Sequence, residues 1–175
     1  MQRLILISGF GGSGKSTCAQ KLWDKLDHVA MIEADHLFHI KPFEMQTPEG
    51  REQIGRIKLR NSLSVTRTFI EEGFSYIIVE GLVWSQAELD AIRILANEKS
   101  CDVWCFWLKT TKEIRHRRAI GRGLEGDTQE FLDIVEQKIV DPTPLSLPDG
   151  HYHEIETDTK NPEQVVEEIF KHLAR

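Results

Sequence analysis

Leu4-Ile5-Leu6-Ile7-Ser8, followed at once by Gly9-Phe10-Gly11-Gly12-Ser13-Gly14-Lys15-Ser16, decides the reading of this chain. A short, unbroken β-type run predicts a strand buried on both faces. The octet from Gly9 to Ser16 fills every position of G-x-x-x-x-G-K-[ST], and a helical pattern over 15–26 follows it. Glycines let the backbone curl so that successive N–H groups point into one anion-sized hollow. The start of the helix adds partial positive charge at the same place. Lys15 is expected to reach the terminal phosphates of a nucleoside triphosphate, and the Ser16 hydroxyl to join a magnesium shell. Gly11, Gly12, Ser13, Gly14, Lys15, Ser16 and Thr17 are therefore the expected nucleotide-binding residues, with Ser16 as metal ligand.

Working outward, short β-type runs alternate with longer helical patterns, which predicts an α/β fold with a parallel sheet wrapped by helices. Strands are expected at 28–34, 76–79, 102–108 and 152–156. Helices are expected at 49–72, 86–97, 128–140 and from Pro162 onward, where Val165, Val166, Ile169, Phe170 and Leu173 mark one apolar face. Thr110 or Thr111 is a candidate cap for a helix entering an arginine cluster. Residues 141–144 and 148–150 read as an extended connection and turn. No repeat or low-complexity tract interrupts the pattern.

A chain of 175 residues fits one domain, taken here as 1–175. The net charge of −6 disfavours a general binder of nucleic acid or of membrane surfaces. No apolar run approaches the ~20 residues that span a bilayer, and Leu4–Ile7 is too short for a signal-peptide core. Three cysteines with no CxxC pair suggest structural thiols in a reducing cytoplasm. A monomer and a homodimer are both compatible with the sequence.

Three further elements carry chemistry. Asp35 ends the second strand run, where strand C-termini face the ligand crevice of an open parallel sheet. A carboxylate there can accept a proton from an attacking hydroxyl or orient it; the competing reading is a helix cap. Glu80 ends the third strand at the same edge and can hold a magnesium-bound water or bind substrate. Arg118 and Arg122, at i and i+4 before Gly123, project from one helix face. There they can stabilise charge on a transferring phosphoryl group and exclude water. A solvated basic helix end is the expectation for Arg115 or Arg117.

These elements together resemble the nucleoside-monophosphate-kinase-like branch of P-loop proteins, in particular small-molecule kinases related to gluconate kinase, shikimate kinase and chloramphenicol phosphotransferase. The resemblance spans nearly the whole chain and includes Glu156-Thr157-Asp158-Thr159 before the last helix. It implies a three-layer fold with a five-stranded parallel sheet in the order 2-3-1-4-5. It also implies a mobile arginine-rich lid near 115–130, ATP with Mg2+, and Asp35 contacting the acceptor hydroxyl. The segment 157–162 would approach the adenine. Two features depart from shikimate kinases: Asp35 lacks an acidic partner in its motif, and Glu80-Gly81-Leu82-Val83 lacks a glycine pair.

The acceptor site is expected between His36 and Arg60. His36, Phe38 and Trp84, with Asp35 and Glu80, are the substrate-binding candidates, and His39, Lys41 and Phe43 can complete a mixed aromatic and polar pocket. Arg51, Arg56 and Arg60 read as a solvated face, with Glu52 and Arg56 paired at i, i+4. Trp104 and Trp107 are expected in the core. His151 and His153 are expected in a surface turn. The leading expectation is ATP-dependent phosphotransfer, through Lys15, Asp35, Arg118 and Arg122, to a hydroxyl of a sugar acid, nucleoside or antibiotic. A nucleotide or polynucleotide 5′-kinase is one alternative. A non-catalytic ATP-binding module or slow ATPase switch is the other.

Overall fold

The structure is a computed structural model that describes residues 1–41, 47–123, 128–136 and 145–174. Phe43, the connection at 141–144, the end of the helix expected to reach 140, and lid positions 124–127 lie outside the described residues.

Five strands form a parallel sheet: β1 (Arg3–Gly9), β2 (Val29–Glu33), β3 (Tyr76–Glu80), β4 (Asp102–Lys109) and β5 (His151–Glu156). Their order is β2-β3-β1-β4-β5, as the resemblance implied. The helices are α1 (Lys15–Trp23), α2 (Pro48–Glu71), α3 (Gln86–Glu98), α4 (Lys112–Gly121), α5 (Gln129–Glu136) and α6 (Pro162–Leu173), with a 3-10 turn at Ala34–His36. Because successive strand residues face opposite sides, the central strand feeds two cores at once. Leu4 and Leu6 pack with Ile70 of α2 and Leu89 and Ile92 of α3. Ile5 and Ile7 pack with Leu22 of α1 and Val166 and Ile169 of α6. All four of these β1 side chains have no exposed surface, each worth about 2 kcal/mol of burial. The uninterrupted apolar run in β1 thus reports a sheet covered on both faces.

Local chemistry sets the boundaries. Ser85 and Glu88 form a capping box at α3, and Asn161 and Gln164 form another at α6, where Pro162 occupies the first turn. α1 stops at Trp23 rather than at 26, because Lys25 and Leu26 bond to carbonyls three residues back. β2 begins at Val29 rather than His28, whose φ of 54° places it in a turn. Thr111 takes the N-cap position of α4 as expected, but its hydroxyl makes no cap hydrogen bond. The Asp158 carboxylate accepts from the Thr111 N–H at 3.0 Å, and Thr110 Oγ1 instead meets Thr157 Oγ1 at 2.7 Å.

The histidine expectation is corrected as well. His151 begins β5 and stacks on Trp104 with ring centroids 3.6 Å apart, while His153 stacks on His172 at 3.8 Å. Both histidines are strand residues lying along aromatic neighbours. Trp104 and Trp107 are core residues, as their strand positions predict. No helix among the described residues is long and apolar enough to cross a membrane.

All three cysteines are buried and free. Burial raises the thiols of Cys18 and Cys101 to about 11 and that of Cys105 to about 12. The native protein should therefore react with Ellman's reagent at pH 8 about 100-fold more slowly than free cysteine. All three thiols should become titratable in guanidinium; a rapidly reacting thiol in the native state would contradict this burial.

Candidate active site

Parallel pairing brings every strand C-terminus to one edge. Ile7 of β1 lies in register with Glu80, Glu80 with Glu33, and Gly9 with Leu108. Two cavities open along that edge.

The first, about 480 Å³, is floored by all the expected nucleotide residues from Gly11 to Thr17. Gly12 has φ +81°, and a Cβ there would stand 2.6 Å from the Arg115 carbonyl oxygen. The loop backbone thus runs directly against α4, an approach open only to glycine. Arg115 is buried rather than solvated, with its guanidinium 5.1 Å from the Phe10 ring centroid. The helix expected to end in solvated arginines is therefore part of the loop's support, and Arg117 alone of those two is exposed.

Lys15 and Glu80 face each other inside this cavity at 4.0 Å, their side chains 11% and 5% exposed. Burial pulls the Lys15 ammonium below its ordinary pKa, while Glu80 and Asp35 push it back up. Burial raises the Glu80 carboxyl, opposed by Lys15. The Ser16 hydroxyl donates to Glu80 Oε1 at 3.2 Å. A hydroxyl and a buried carboxylate oxygen beside a phosphate hollow form a hard-oxygen pair that suits Mg2+. Among the described residues, the buried Ser13 Oγ has no hydrogen-bond partner.

Arg118 joins the two ends of the cavity. It donates to the Ser13 carbonyl at 3.5 Å, to Thr157 Oγ1 at 3.2 Å and to the Thr157 carbonyl at 2.6 Å. Arg122, also lining the cavity, caps α4 at its C-terminus. The cavity is also lined by Thr157, Lys160 and Pro162, from the segment 157–162 expected near the adenine, and by Val165 beyond it.

The second cavity, about 580 Å³, is lined by Asp35, Phe38, His39, Ile40 and Lys41. Asp35 borders both cavities. Its Oδ1 accepts from the Lys58 ammonium at 2.5 Å. Lys58, from the middle of α2, was invisible to sequence reasoning. Its side chain is only 11% exposed, and its Nζ lies 5.8 Å from the Phe38 ring centroid. The available signal was its place in the row Gly50, Ile54, Lys58, Ser62, Thr66, Ile70, the buried stripe of α2.

Other expected site residues sit outside these walls. His36 lines neither cavity: its ring pairs with Glu33 at 3.2 Å and is largely exposed. Trp84 also lines neither; its indole N–H donates to the Gly81 carbonyl at 3.2 Å, and its ring lies 5.9 Å from Lys15 Nζ. Arg51, Arg56 and Arg60 are exposed, and Arg56 bonds Glu52 at 2.6 Å as its spacing predicts.

Residues 4–137 match the family described as the AAA domain. This chain is an AAA-domain protein. Its fold is that of P-loop kinases. A sugar kinase from Janibacter sp. superposes with a TM-score of 0.72 at 20% identity, covering 99% of this chain and 95% of its own. A gluconokinase from Sinorhizobium meliloti gives 0.69 at 18%, covering 99% and 92%. The Mycobacterium tuberculosis APS kinase, in complex with AMPPNP and APS, gives 0.64 at 15%, covering 99% and 98%. No curated protein matches the AAA-domain protein at significance.

Proposed function

We propose that this AAA-domain protein transfers the γ-phosphoryl group of ATP to a hydroxyl of a small molecule held in the second cavity. The observation that carries the reading is the position of Asp35. It is a carboxylate on the wall of the phosphate cavity and on the wall of its neighbour. A hydroxyl compound seated against Phe38 and His39 would meet Asp35 before it meets the phosphates.

In this reading the backbone N–H groups of 11–16 hold the β- and γ-phosphates, and Lys15 neutralises charge on the oxygens between them. Ser16, with Glu80 beside it, would hold Mg2+, which supplies further charge neutralisation when bound. Asp35 accepts the hydroxyl proton as the acceptor oxygen bonds to the γ-phosphorus and the bridge to the β-phosphate breaks, releasing ADP. Arg118, held by Ser13 and Thr157, and Arg122 face the phosphates from the α4 side at the base of the lid expected near 115–130, and Thr157, Lys160, Pro162 and Val165 hold the adenine. The whole chain, 1–175, acts as one catalytic domain. Gluconokinase and sugar kinase folds among its neighbours favour a polyhydroxyl acceptor.

The test is a mixed panel of sugar acids, sugars, nucleosides and nucleotides incubated with the protein, ATP and magnesium. A new species heavier by one phosphoryl group, formed with stoichiometric ADP, is the expected result. Acceptor-independent release of inorganic phosphate alone, with no phosphorylated product, would support the ATPase-switch alternative instead.

A further inference from the structure

We propose that Lys58 is the positioning residue of the reaction: it pins one oxygen of Asp35 so that the other faces the place where phosphate and acceptor meet. The proposal rests on the kinase reading for its function, but the orientation it describes is independently measurable.

The geometry begins with the two carboxylate oxygens. Oδ1 is taken by the Lys58 ammonium at 2.5 Å. Oδ2 lies on the Gly81 side: a Cβ on Gly81 would stand 3.6 Å from Oδ2 and 3.8 Å from Cε of Lys15, so both atoms border the same small space at that glycine. If the carboxylate rotated about χ2 or left its χ1 well, no oxygen would hold that place. Asp35 itself cannot prevent this, since its side chain is 61% exposed and projects from the middle of a 3-10 turn into an open cavity. The restraint comes from α2. One turn beyond Lys58, Asn61 donates to the Leu37 carbonyl at 2.7 Å, so the same helix ties down both the carboxylate and the backbone that carries it.

Stability alone does not account for Lys58. An ammonium on the buried stripe of a helix loses hydration, and the Asp35 partner, facing solvent, returns only part of that. An apolar residue of similar length, between Ile54 and Ser62, would pack there without that cost. A buried lysine whose strongest contact is a cavity-wall aspartate fits a group that holds catalytic geometry.

Pinning also limits what Asp35 can recognise. With Oδ1 already facing a cation, the pair presents one acceptor oxygen and little net charge, which suits a neutral hydroxyl donor better than an ammonium group.

The test compares wild type, Lys58→Met, Lys58→Arg and, as control, Lys15→Met. First, crystals grown with magnesium and AMPPNP should show Asp35 in one rotamer in wild type and Lys58→Arg, and rotated or split in Lys58→Met. Second, with an acceptor from the panel above, or water as acceptor where none is phosphorylated, Lys58→Met should lower kcat about 100-fold. The KM for ATP should stay within about threefold, and Lys58→Arg should recover at least a tenth of the wild-type rate. An unchanged Asp35 rotamer with an unchanged kcat would overturn the proposal. So would a raised acceptor KM at constant kcat, which would make Lys58 a substrate-binding group. Failure of the kinase reading appears separately, as phosphate release with no phosphorylated product from any acceptor in the panel, while the Asp35 rotamer comparison still tests the pinning.

Discussion

Lys15→Met is expected to reduce ADP formation by about a thousandfold or more while leaving the fold intact. The ammonium is held inside the phosphate cavity by Glu80 at 4.0 Å and by the Phe10 carbonyl at 3.3 Å. Burial draws its pKa down, and Glu80 and Asp35 only partly offset that. Phosphate oxygens in the cavity would add closer counter-charges than Glu80 at 4.0 Å. Methionine fills a similar volume without that charge, so the loss falls on the nucleotide and its transition state. Removing the ammonium leaves Glu80 buried with the Ser16 hydroxyl as partner, and its carboxyl then shifts further toward the protonated form. Coupled ADP assays, AMPPNP titration and circular dichroism together check the result. Retained turnover with native circular dichroism would remove Lys15 from the chemistry.

Asp35→Asn carries the second large effect, an expected fall of about 100- to 10,000-fold in phosphoryl transfer. The amide keeps the shape and can still accept from Lys58 through its oxygen, so AMPPNP affinity should change little. What disappears is the proton acceptor on the wall shared by the two cavities. Stability should fall by about 1–3 kcal/mol, because Lys58 loses its counter-charge while the open side of the pair is already screened by water. Denaturant unfolding checks this part and a single-turnover assay the other. An Asn variant with the wild-type transfer rate would mean that the acceptor hydroxyl needs no base here, or finds another.

The phosphate loop was legible because it rests on local chemistry, whereas the strand order came only from the family resemblance. A β-type run ending in glycines, then Lys15 and Ser16, fixes strand, turn and helix within a short stretch. Strand ends carry Asp35 and Glu80 to the ligand edge by topology alone. Lys58 was hidden for the opposite reason: lysine in a long helix ordinarily points to water, and only the folded register of α2 places it on the buried stripe. Which of Arg115 and Arg117 is the solvated one was likewise hidden, since nothing in Glu113-Ile114-Arg115-His116 announces that a glycine loop lies underneath Arg115. His151 and His153 were assigned to a surface turn, although 153 falls inside the expected strand, because nothing next to Tyr152 shows which rings they stack on. Their aromatic neighbours come from β4 and α6.

The Gly12–Arg115 contact has a consequence for how this chain can vary. The two backbones meet with no side chain between them, so α4 is indexed to the phosphate loop like a gear tooth in its gap. The segment from Lys109 to Arg115 then behaves as a ruler. One residue added or removed there would rotate every later position of α4 by roughly 100°, carrying Arg118 away from Ser13 and Thr157. Substitutions at exposed positions of that segment are tolerable; changes in its length are not.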